Sequence, residues 1–70
     1  MTFQKGDIVT GRNIGGLYLV TNNNKKDSHH NDCYELYVLS TPHNFETFET
    51  IGTKILKFGD YVERTFEKVG

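Results

Sequence analysis

The run His29-His30-Asn31-Asp32-Cys33, with His43 nearby in the chain, holds every common zinc-ligand type. Zinc sites close a tetrahedron from spaced pairs such as CxxC or HxxxH. No such spacing is present, and adjacent His29 and His30 do not converge on one ion. No metal site is expected. Cys33 beside a histidine has the residue types of a nucleophile and its base. No helix N-terminus is available to lower its pKa, and no glycine-lined oxyanion pocket is visible. It reads as a small side chain at a strand start. Glu46 and Glu49 flank Phe45 and Phe48 without a pocket that would raise a pKa, so both read as solvated. Gly11-Arg12-Asn13-Ile14-Gly15-Gly16 is glycine-rich but lacks the Lys-Ser/Thr ending of a phosphate-cradling loop. It reads as a hairpin turn in which Arg12 and Asn13 stay able to engage a carboxylate or phosphate. Neither a catalytic residue nor a cofactor is expected.

The elements that must position these residues centre on 33–40, Cys-Tyr-Glu-Leu-Tyr-Val-Leu-Ser. It is aromatic, β-branched and aliphatic, free of Gly and Pro, and flanked by polar turn-rich segments, which predicts a strand. Alternation puts Tyr34, Leu36 and Val38 on one face and Glu35, Tyr37 and Leu39 on the other. Earlier in the chain, Gly6-Asp7 predicts a turn before a short strand through Val9. The glycine turn at 13–16 leads to a second strand, 17–21, and these two strands form a hairpin. Residues 22–32 are all polar and predict a long, exposed, mobile loop. Residues 42–51 fit either a ragged strand or an excursion with exposed Phe45 and Phe48. Residues 53–58 predict a fourth strand stopped by Gly59-Asp60. Val62, Phe66 and Val69 have helical spacing, yet the segment is short and rich in Tyr, Val, Thr and Phe. A single helical turn at 63–65 followed by a closing strand, 66–69, reconciles the two.

Seventy residues with one cysteine, seven glycines, one proline, five Phe and four Tyr describe one small domain, 1–70. A chain of this size buries only roughly 60% of its unfolded surface, too little for two lobes around a catalytic cleft. A single Cys33 cannot form an internal disulfide, and no signal-like apolar segment opens the chain, so a cytoplasmic location is expected. The longest apolar runs, Leu17–Val20 and Leu36–Leu39, fall far short of the ~20 residues that span a bilayer, so no membrane partner is expected. Eight basic and nine acidic residues give a net charge of −1. That argues against a duplex-DNA binder, which needs a basic face, and equally against an acidic DNA mimic.

Five short strands with a helical turn before the last are the layout of an SH3-like barrel. Lys5-Gly6-Asp7-Ile8-Val9 resembles the K-G-D-x-V opening of small SH3-like and KOW-type barrels. Gly15 to Thr21 resembles the G-x-x-Y-x-V-T second strand of barrels often encoded by phages of Gram-positive bacteria, and Phe66 to Val69 their F-E-x-V ending. The segments 22–32 and 42–51 are longer than that pattern. The resemblance implies an all-β, five-stranded SH3-like barrel, with a core drawn from Val9, Tyr18, Val20, Leu36, Val38, Leu56 or Ile55, Val62, Phe66 and Val69. It also implies a phage accessory protein. The missing catalytic set makes it a non-enzymatic binding module for a host protein or a small anionic ligand. RNA or single-stranded nucleic acid is the alternative, because related barrels bind it through loops and aromatics; only Lys25-Lys26 forms a basic pair. Tyr37, Phe45, Phe48 and Tyr61 either form a binding surface or cover the barrel ends. With Tyr18, Val20, Leu36 and Val38 inward, Leu17, Leu19, Tyr37 and Leu39 face outward on adjacent strands. So apolar a face calls for a cover. A second copy is expected, giving a homo-oligomer; residues 45–51 folding back with Phe48 are the alternative.

Overall fold

A computed structural model describes residues 2–41 and 50–69. The expectations for Phe45, Phe48 and the rest of 42–49 lie outside the described residues. The elements run β1 (Ile8–Gly11), β2 (Gly15–Lys26), β3 (Asp32–Ser40), β4 (Lys54–Phe58), α1 (Gly59–Thr65) and β5 (Phe66–Lys68). They form one antiparallel five-stranded sheet in the order β4-β3-β2-β1-β5. The expected strand number and mostly β character are present. Among the described residues no pairing joins β4 to β5, so hydrogen bonding leaves the sheet open.

β1 and β2 form the expected hairpin, with Ile8 opposite Leu19 and Val9 opposite Tyr18. The turn needs glycine at its base. A Cβ on Gly11 would lie 2.3 Å from the Ile14 side chain and 2.9 Å from the Gly15 carbonyl oxygen. Gly15 itself has φ of 76°, which favours glycine.

Residues 22–32 are corrected: they are not one long loop. β2 continues to Lys26, with Asn22 opposite Glu35, Lys25 opposite Cys33 and Lys26 opposite Asp32, through several register shifts. Backbone pairing needs no apolar side chains, and the polar ones find partners. Lys25 lies 3.8 Å from Glu35, Lys26 pairs with Asp32, and Asn23 Nδ2 donates to the Phe3 carbonyl at 3.0 Å. Only 27–31 form the loop. There the Asp27 carboxylate accepts the N–H groups of His29 at 2.8 Å and Asn31 at 2.9 Å.

The helix is also longer than the single turn expected. Asp60 in its first turn and Arg64 in its last complement the helix dipole. It ends where Phe66 turns extended, at φ −110° and ψ 157°, and its N–H donates to the Val62 carbonyl.

The core lies on the inner face of the sheet under α1. Phe3, Val9, Tyr18, Val20, Tyr34, Leu36, Val38, Val62 and Phe66 are buried, with Ile14 and Ile55 packed against them. The alternation expected for β3 holds: Tyr34, Leu36 and Val38 are inside. Each large side chain taken out of water contributes about 1.5–3 kcal/mol. Of the alternatives Leu56 and Ile55, Ile55 takes the inward position and Leu56 is 49% exposed. One core assignment is corrected: Val69 is 44% exposed, beyond the last β5 residue. Phe3 was missed, and it packs on Tyr34. Their rings meet at 5.7 Å, and the Phe3 N–H donates to the Tyr34 hydroxyl at 3.1 Å.

Candidate functional site

The junction between β4 and α1 carries aromatic side chains that the core does not absorb. Strand alternation sends Ile55 inward and Leu56 and Phe58 outward, and Phe58 stays 56% exposed. One helical turn later, Tyr61 is held by two contacts. Its ring meets Phe66 edge-on at 6.1 Å, and Lys57 Nζ lies 5.9 Å from its centroid. Opposite this junction stands the β2–β3 hairpin tip. Between them runs a groove of about 740 Å³, bordered by His30, Asn31 and Asp32 on the hairpin side and by Phe58, Asp60 and Tyr61 on the other. It adjoins an apolar recess of about 390 Å³ against Cys33, Leu56, Phe58 and Tyr61.

Several charged groups in and beside the groove are held locally. Asp27 sits below the usual carboxylate range, first because of the Asn31 backbone N–H and then the Asn31 side chain. Asp32 pairs with Lys26. Glu63 accepts the Thr2 N–H at 3.2 Å and bonds the Thr2 hydroxyl. Arg64 Nε donates to the Asp60 carbonyl at 3.3 Å. Burial pushes the Cys33 thiol up, with Asp27 adding to the effect, so it stays protonated at neutral pH. That is the reverse of what a nucleophile needs. Among the described residues, no three His, Cys, Asp or Glu side chains are grouped to hold a metal ion. No helix among them is long and apolar enough to cross a membrane.

Of the residues singled out from sequence, Tyr61 lies in the groove. Arg12 and Asn13 occupy the β1–β2 turn beside the far end of α1. There the Arg12 N–H donates to the Thr65 carbonyl at 2.9 Å, and Nη1 donates to the Arg64 carbonyl at 3.4 Å. The guanidinium thus closes the helix C-terminus. Tyr37 is elsewhere, on the outer sheet face opposite Leu19, with its hydroxyl beside Gly52. Leu17 and Leu39, 39% and 37% exposed, flank that pair, while Leu19 and Tyr37 are half-buried. Phe58, Asp60 and the hairpin tip were missed as site residues. A usable signal was the alternation of 54–58: with Ile55 inward, Leu56 and Phe58 fall on the outer phase, beside Tyr61.

Comparison with protein-family models, curated proteins and solved structures finds no significant match to this chain.

Proposed function

We propose that this chain is a non-enzymatic binding module on an SH3-like barrel, and that the groove between the β2–β3 tip and α1 receives a segment of a partner protein. The observation that carries the reading is the pair Phe58 and Tyr61, 56% and 39% exposed at one wall of that groove. Exposed aromatics framed by polar groups are the usual anchors of protein interfaces. The strand order β4-β3-β2-β1-β5, with the helix between β4 and β5, supports the barrel assignment. The resemblance of Lys5 to Val9 and of Gly15 to Thr21 to phage-encoded barrels supports a host protein as partner. With Asp32 paired to Lys26, Asp60 and Glu63 outnumber Arg64 at the groove, which weighs against RNA or a small anionic ligand because carboxylates repel phosphates.

The test is affinity capture from a Gram-positive bacterial extract, comparing the wild type with the variant carrying Phe58→Ala and Tyr61→Ala. A protein held by the wild type and released by the variant is the expected result. Equal capture by both refutes the groove. Capture of RNA that falls steeply with salt refutes the protein partner.

A further inference from the structure

We propose that the free edge of β4 pairs with β4 of a second copy, in a two-fold antiparallel register centred on Leu56. The phase of the β3–β4 ladder exposes this edge. Val38 donates to Thr53 at 2.9 Å, so Val38, Leu36 and Tyr34 direct their backbone groups toward β4. Their partners Ile55 and Lys57 therefore point back toward β3. Lys54 and Leu56 aim N–H and C=O outward, and Phe58 aims its N–H outward while its carbonyl begins α1. Among the described residues none of these outward groups on Lys54 and Leu56 has a backbone partner.

The side chains fit a second copy in this register. Leu56 meets Leu56 of the second copy across the axis, and both are about half exposed in the single chain, at 49%. Lys54 falls opposite Phe58 and Lys57 opposite Ile55. Lysines on an edge ordinarily deter strand pairing; here the register sets no lysine directly opposite another, leaves the two Lys57 residues diagonal to each other, and lays the Lys54 stem against an aromatic ring. The two-fold repeats each contact, as a closed dimer requires. Net charge of −1 leaves little repulsion between copies. The other edge, β5, is only three residues long and offers no comparable ladder. This interface differs from one through the outer face at Leu17, Leu19, Tyr37 and Leu39, where Tyr37 already has the Gly52 turn beside it.

The experiment is sedimentation equilibrium of the full chain across the micromolar range, with circular dichroism confirming that each variant is folded. The wild type should show a reversible monomer–dimer equilibrium. Leu56→Glu and Leu56→Lys each place like charges face to face on the axis and should weaken association about tenfold or more. An equimolar mixture of the two should restore the dimer, because Glu then meets Lys. Leu39→Glu should leave the dimer intact. A wild type that stays monomeric, a mixture that stays monomeric, or a dimer broken by Leu39→Glu and indifferent to Leu56 each overturns the proposal.

Discussion

Replacing Tyr34 with Phe removes one oxygen from the core and leaves the ring in place. That oxygen accepts the Phe3 N–H at 3.1 Å, between residues 0% and 6% exposed. Without it the Phe3 N–H is a buried donor with no acceptor, and water has no ready path to it. A net hydrogen bond is worth about 1 kcal/mol, and an orphaned buried donor costs about 1–3 kcal/mol. The ring-to-ring contact at 5.7 Å survives, which limits the total loss to about 1–2 kcal/mol. A domain of this length has about 4–10 kcal/mol to lose, so the variant should still fold. Its melting temperature should drop by about 5–15 °C. Urea unfolding followed by circular dichroism measures the loss directly, and hydrogen exchange should speed up at the Phe3 amide. A variant within about 0.3 kcal/mol of the wild type, with Phe3 exchange unchanged, would show that the lead-in is not clamped to the core in this way.

Alkaline pH probes the same residue and Cys33. Burial raises both pKa values above their ordinary values of 10.0 and 9.0, so the folded state holds these protons more tightly than the unfolded chain. The stability they contribute is complete below pH 9 and falls as pH rises through the raised values. Urea midpoints should decline above pH 9, less so in Tyr34→Phe and Cys33→Ala; an unchanged slope in both variants would contradict the burial argument. Deleting residues 23–28 should markedly lower the unfolding temperature, because it removes the paired end of β2, the Lys26–Asp32 pair and the Asn23 bond to Phe3. A near-wild-type melting curve would show that the hairpin end is dispensable.

Most strands were legible because their signal is local. Residues 33–40 announce β3 by side-chain type, and period-2 alternation alone sorts Tyr34, Leu36 and Val38 from Glu35 and Leu39. Val62 and Phe66 lie one helical turn apart, and both are buried. The polar half of β2 carries no such signal. Asn22 to Lys26 pair through backbone groups and polar side chains, and the same residues in isolation describe a loop. What holds them is β3 alongside, a partner that no window over 22–26 contains.

The alternation within each strand and the glycine turn at Gly11 to Gly16 were determined by the sequence itself, since they follow from side-chain chemistry and backbone sterics within a few residues. The tertiary structure alone decided that Phe3 is core and Val69 is not, that Arg12 reaches the carbonyls at the end of α1, and that the hairpin tip faces Phe58 and Tyr61. Each of these depends on which distant segment arrives beside the residue. The Phe3 amide finds its acceptor on β3, and the Arg12 guanidinium finds its carbonyl at the end of α1. Long-range pairing of this kind is set by the register of the whole sheet, where a shift of one residue would turn every side chain to the opposite face.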